Sequence, residues 1–291
     1  MSRFFKAGLI FYLSILGIFS GCPIVFGQCN FTNLNSNYCE DEPGFALTGG
    51  VNYFGAGVTG NTFDPSVAGI GTHQLVTTSG LATSYSIVTS GSFNPEPPSS
   101  PTAVVLGDND EQLINIGFSF NFFGNDYTQL RIGSNGILGM GVAPPLTSVN
   151  DNQAFSNVTN PNNIIALAWD DLTPNVSGTV HYFVVGSAPF RKLVIDYISV
   201  DRTTAFDVTV QAQLHETTNV IEIHTSNALF ASNGQTASQG IESHDLGSGV
   251  TSSYVVPGRN DALWDATSDF VSFVPTCLDI QTVTVNALPS A

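Results

Sequence analysis

Positive charge is what this chain lacks most. Only seven of its 291 residues are Lys or Arg, against 23 Asp or Glu. Two of the seven, Arg3 and Lys6, sit in an N-terminal segment that reads as a removable leader. The rest of the chain keeps Arg131, Arg191, Lys192, Arg202 and Arg259 against all 23 acids, five minus 23, a net charge of −18. Phosphate backbones bind through clustered cations, so nucleic acid is excluded as a partner. An anionic membrane surface is disfavoured for the same reason. The acidity itself reads as solubility outside the cell.

Several chemical signatures are missing too. The chain contains no Gly-x-Ser-x-Gly elbow, no phosphate-binding loop and no dinucleotide fingerprint. Ser243-His244-Asp245 is not a triad, because consecutive residues of an extended segment cannot converge. His215-Glu216-Thr-Thr-Asn219 opens like a zinc-protease helix but carries Asn where the second His is required. It reads instead as a hairpin turn, with His215 and His224 facing each other across the hairpin. Helical periodicity is almost absent. The apolar run Ala7–Phe19 falls short of the about 20 residues that a membrane helix needs.

Residues 1–27 have the three regions of a secretory signal: Arg3 and Lys6, the apolar run, then small residues ending at Gly27. A second reading takes Phe19-Ser-Gly-Cys22 as a lipoprotein box with Cys22 acylated, although Phe is a poor first residue for it. Cleavage after Gly27 leaves Cys29, Cys39 and Cys277. Export favours pairing, three pairings are open, and each leaves one thiol over.

What the chain does contain is alternation. Ser84–Thr89, Gln112–Phe122, Leu130–Leu138, Ile164–Trp169, Thr179–Val185, Leu193–Val200, Phe206–Leu214, Val220–Thr225 and Phe270–Val274 read as short strands. Gly, Pro, Asn and Asp separate them, which predicts an all-β fold. Phe118, Phe120 and Phe122 form a core stripe, and Phe123 falls on the opposite, exposable face. A compositional seam divides a small β unit, residues 28–80, from a larger antiparallel β-sandwich, residues 84–275. Asn94-Pro-Glu-Pro-Pro-Ser-Ser-Pro101 is a stiff polar loop near the start of the sandwich. Residues 276–291 read as one further strand or the opening of another module.

Three patterns in the sandwich stand together: Ile116-Gly-Phe-Ser-Phe-Asn-Phe-Phe-Gly124, Ile132-Gly-Ser-Asn-Gly-Ile-Leu-Gly-Met-Gly141 and Ile164-Ile-Ala-Leu-Ala-Trp-Asp-Asp-Leu172. Their order resembles the nidogen-type extracellular module. The chain departs from it in having Leu167-Ala168 before the Trp, where Pro-Phe is usual. The small unit runs Cys, Phe45-Ala-Leu-Thr-Gly-Gly, Phe54-Gly-Ala-Gly-Val, Phe63-Asp-Pro65, then Ala68-Gly-Ile-Gly-Thr72. This resembles the immunoglobulin-like repeats of Bacteroidetes-type surface proteins. Together the resemblances imply a secreted or cell-surface, non-catalytic module for adhesion or protein contact. They place contacts on exposed loops, at Asn125–Tyr127, Pro144–Asn150 and Ser232–Gln239.

Two acidic turns are the candidate sites. Asp170 and Asp171 follow Trp169 at a strand end, and Asp108 and Asp110 alternate with Asn109. Both read first as carboxylates capping turn amides. The second reading is calcium, a hard cation that takes six to eight oxygens, and no other cofactor is implied. With calcium goes the alternative function, a lectin-like module with a glycan ligand. Ser134-Asn-Gly136 reads as a type I′ hairpin turn with positive φ at Asn and Gly.

Overall fold

The computed structural model describes residues 29–143, 145–146, 152–155, 161–202, 206–244 and 251–288. The leader expected over 1–27, and with it Cys22, lies outside them. The segment up to Thr78 gives β1 (Asn37–Cys39), β2 (Phe45–Ala46), β3 (Asn52–Gly55), β4 (Val58–Thr59), β5 (Thr62–Phe63) and β6 (Gly71–Thr78). Next come β7 (Tyr85–Val88), β8 (Thr102–Val104), β9 (Glu111–Phe122), β10 (Asn125–Gly133), β11 (Ile137–Met140), β12 (Ile164–Trp169) and β13 (Thr179–Val185). The chain continues with β14 (Lys192–Arg202), β15 (Phe206–His215), β16 (Ile221–Leu229), β17 (Ser238–Glu242), β18 (Ser253–Val255), β19 (Asp265–Pro275) and β20 (Leu278–Asn286).

Two antiparallel sheets make the sandwich. One has the order β7-β19-β16-β15-β14-β13-β8 and the other β18-β17-β12-β11-β10-β9. The period-2 pattern of β9 shows why: Ile114, Ile116, Phe118 and Phe120 are buried while Leu113, Asn115, Gly117 and Ser119 face out. These inner residues meet Leu193, Ile195 and Tyr197 of β14 and Val208, Val210 and Ala212 of β15 in one continuous core. Strand β12 is buried along its whole length. Its outer face is covered by Leu146 and Phe155, which pack with Ile164, Ala166 and Trp169. A strand buried on both faces reads as an unbroken apolar run, which is how Ile164–Trp169 looks in the sequence.

Two local expectations change. Phe123 is not exposed: its φ of +47° turns it back onto the core. There its ring meets Phe122 at 4.7 Å, Tyr85 at 5.2 Å and Tyr254 at 6.0 Å. The hairpin between β10 and β11 is not a type I′ turn. Pairing of Ile132 with Leu138 leaves Ser134–Gly136 as the loop, and of the three only Gly136 has positive φ, +68°. A loop of that length needs one left-handed residue, not two. A Cβ on Gly136 would also lie 2.6 Å from the Ala168 carbonyl oxygen, so close approach fixes the glycine as well.

The small unit is built from both ends of the chain. Its main sheet has the order β1-β20-β6-β3, so β20 lies inside it, parallel to β1 and antiparallel to β6. A second sheet, β2-β5-β4, closes over a core of Tyr38, Leu47, Phe63, Leu75, Val283 and Val285. The sandwich is thus inserted between β6 and β20. Where the two strands leave the small sheet, Thr276 N–H bonds the Ser84 carbonyl at 3.0 Å, and pairing resumes at Tyr85 with Pro275. A disulfide between Cys29 and Cys277 fastens this neck, and Cys39 is the thiol left over.

Candidate functional site

The acidic turns predicted from sequence converge on one end of the sandwich. Asp110 exchanges bonds with Ser134, its amide donating to Oγ at 3.0 Å and its carbonyl accepting from the Ser134 amide at 2.8 Å. Asn135 then links the two turns, donating from Nδ2 to Asn109 Oδ1 at 3.0 Å while its carbonyl accepts from the Asp170 amide at 3.4 Å. The carboxylates are engaged by the chain itself. Asp110 accepts from the amides of Gly107 and Glu111. Asp170, fully buried, accepts from the Asp171 amide at 2.8 Å and from both Nε and Nη2 of Arg202. Asp108 is exposed and Asp171 half-buried beside them. Calcium would have to displace Arg202 from Asp170, and no group of three or more metal-ligating side chains forms among the described residues.

A second polar region lies on the outer face of the seven-stranded sheet, and of it only the His215–His224 hairpin is legible in the sequence. The pairing registers align His181, Asp196, Gln211, His224 and Phe270 as one cross-strand row over five strands. The next row holds Gln213 opposite Glu222, and beyond it Lys192 lies opposite His215. His215 and His224 therefore do not face each other. They meet only through Glu222, whose Oε2 is 3.1 Å from His215 Nε2 and 3.5 Å from His224 Nε2.

The proline-rich loop roofs this row. Pro95, Pro97 and Pro98 have no N–H, so the amides of Asn94 and Glu96 are the donors available between Asn94 and Pro98. Asn94 N–H donates to His224 Nδ1 at 3.2 Å and Glu96 N–H to Gln211 Oε1 at 2.7 Å. Gln211 Nε2 returns a bond to the Glu96 carbonyl at 2.9 Å and another to Asp196 at 2.7 Å. A buried amide side chain costs little once it is bonded in this way. Alternating polar residues on a sheet's outer face ordinarily read as solvated, which is why the row was missed.

The two rows differ in their electrostatics. Burial pushes the Asp196 carboxyl up, against the contacts of Gln211 and His181. Burial would push Glu222 up too, but contacts from His215 and His224 outweigh it and hold the carboxyl well below the usual range. A depressed carboxylate stabilises the fold above its unfolded pKa of about 4.3, and that contribution disappears as pH falls toward the folded value. Thermal melts should therefore lose Tm between about pH 5 and 3 less steeply in Glu222→Gln than in the parent. Identical slopes would contradict the assignment.

Two open clefts flank these regions. One, of about 410 Å³, is lined by Asp126, Tyr127, Gln129, Met140–Ala143, Asn163 and His244. It includes part of the expected contact loop Asn125–Tyr127. Of Pro144–Asn150 only 145–146 are described, and Leu146 there is buried. Ser232–Gln239 is not an open loop throughout, since Ser238 and Gln239 are buried in β17. The second cleft, about 340 Å³, lies between the small sheet and the β15–β16 turn, with His215, Glu222 and Thr218 in its lining.

Every cation beyond residue 27 is paired. Arg131 meets Glu111, Arg191 meets Glu216, Lys192 meets Glu96, Arg202 meets Asp170 and Arg259 meets Asp269. No helix among the described residues is long and apolar enough to cross a membrane. A family model described as NIDO related matches residues 84–273, well over half of the chain. No curated protein and no solved structure matches.

Proposed function

The chain belongs to the NIDO-related family, and we propose that it works outside the cell as a non-catalytic module for adhesion or protein contact. The observation that carries this reading is the charge distribution. With all five cations held in ion pairs, the unpaired charge left to the surface is acidic. Such a surface attracts basic proteins and repels anionic ones. The disulfide joining the two ends of the chain fits an oxidising, extracellular setting. The small unit, with its two facing sheets and its Leu-Thr-Gly and Phe-x-Gly motif order, we read as an immunoglobulin-like repeat of surface-protein type.

The non-catalytic part of this reading is supported by the lack, among the described residues, of a hydroxyl hydrogen-bonded to His215 or His224. Thr218 Oγ1 has no hydrogen bond to either imidazole, so His215 and His224 have no hydroxyl to activate there. A second reading, glycan binding, is favoured only by the shallow cleft beside the half-buried Tyr127 ring. Binding of the secreted protein to arrayed extracellular proteins and glycans, with and without a chelator, separates the two. The contact reading expects protein ligands of basic charge, binding that weakens as salt shortens the screening length to about 3 Å at 1 M, and indifference to chelation. Binding confined to glycans and abolished by the chelator would overturn it.

A further inference from the structure

The cleft between the small sheet and the β15–β16 turn is built asymmetrically. Val76 of β6, Ile280 of β20, Phe190 and Val220 give it apolar walls, and Phe190 and Ile280 are more than a third exposed. At its polar end are Thr218, His215 and Glu222. Thr218 is 7% exposed, and its hydroxyl has no partner.

The charges of this cleft are unequal in one respect. Arg191 is fixed on Glu216 through Nε at 2.8 Å and Nη2 at 2.6 Å, and Lys192 is fixed on Glu96 and Gln213. Among the described residues the Glu222 carboxylate has ion-pair contacts only with imidazoles. His224 accepts the Asn94 amide on Nδ1, so its neutral form carries the proton on Nε2 and offers Glu222 a dipole, not a charge. Both imidazole contacts go to Oε2, which leaves Oε1 without a hydrogen bond among the described residues. Among the described residues no cation is spare to meet it, since all five are paired elsewhere.

We propose that this cleft receives a lysine side chain from a partner protein, its ammonium on Glu222 Oε1 and Thr218 Oγ1 and its methylene stem against Val76, Phe190, Val220 and Ile280. Lysine fits better than arginine because one free carboxylate oxygen and one hydroxyl suit a compact ammonium. A guanidinium seeks both carboxylate oxygens at once. Hydrocarbon walls with a single charge at the end match a side chain that is apolar along its stem and charged at its tip.

The inference rests on the protein-contact reading and is tested apart from it. Nα-acetyl-lysine methylamide is titrated into the full secreted protein at millimolar concentrations while the His215 and His224 ring protons are followed by NMR. The expected result is saturable shifts at both rings, lost on Nε-acetylation of the probe and weakened at least tenfold in Glu222→Gln. Thr218→Val, which keeps the side-chain shape, should weaken binding several-fold and guards against a folding defect in the first variant. Absence of shifts, equal shifts with the Nε-acetylated probe, or full affinity in a folded Glu222→Gln would each overturn the pocket. A protein that ignores the lysine probe yet binds arrayed basic proteins refutes the pocket and leaves the contact reading standing.

Discussion

A polypeptide of residues 28–80 alone should give the spectrum of an unfolded chain. Its sequence contains the motif order of a repeat, but its main sheet lacks a strand. Strand β20 stands between β1 and β6, pairing with eight residues of the latter from Thr78 to Gly71. Without it the sheet order β1-β20-β6-β3 loses its continuity, and Val283 and Val285 vanish from a core of only six fully buried side chains. Domains this small have little stability to spare. Fusing residues 277–288 to the C-terminus of 28–80 through a flexible linker should restore dispersed amide resonances and a cooperative melt. Folding of 28–80 without the added strand would show that the two ends of the chain are not interdependent. The Cys29–Cys277 disulfide ties ends 248 residues apart. Removing a native disulfide from a small secreted domain typically costs about 2–5 kcal/mol, so Cys29→Ser should loosen the small unit before the sandwich melts.

The second large effect is expected at Arg202. Its guanidinium is 11% exposed and grips Asp170, which is fully buried. Arg202→Ala would leave a carboxylate buried without its counter-charge, at a cost of about 3–5 kcal/mol. For a sandwich of this size that corresponds to a drop in Tm of roughly 10 °C, read by calorimetry. The partner-removed control is decisive. Replacing both residues, Asp170→Asn with Arg202→Met, should recover much of the loss, because neither change then strands a charge. A double variant as unstable as the sum of the single ones would rule out the pair as the cause.

That pair also marks where sequence reading stops. Asp170 was legible as a turn-capping carboxylate because Trp-Asp-Asp ends an apolar run, and one of its bonds is indeed to the Asp171 amide. Its guanidinium partner was not legible, since Arg202 comes from the opposite sheet, 32 residues later. The strands were read well where one face alternates: Thr179–Val185 matches β13 residue for residue. The run Leu130–Leu138 holds two strands around Ser134–Gly136, the hairpin turn legible in the sequence, although not of the type expected there. Strand β17 was missed because Ser238-Gln-Gly-Ile-Glu242 is polar although buried, its side chains answered by Arg259 and by the carbonyls of Leu167 and Gln153. The His215 and Glu222 contact was half-visible as a hairpin, but the register that sets Glu222 against both histidines was not.

Local chemistry is enough to fix what short-range forces control. The period of two, the turn residues and the scarcity of cations dictate an all-β, acidic chain whose aromatic stripes must be buried. Long-range pairing is settled only when sheets stack and registers lock. The closing of the small unit by the far end of the chain, the roofing of a polar row by a proline strap and the pairing of every cation among the described residues depend on that stacking. None of these leaves a periodic trace, because each joins residues whose separation along the chain carries no energetic signal of its own.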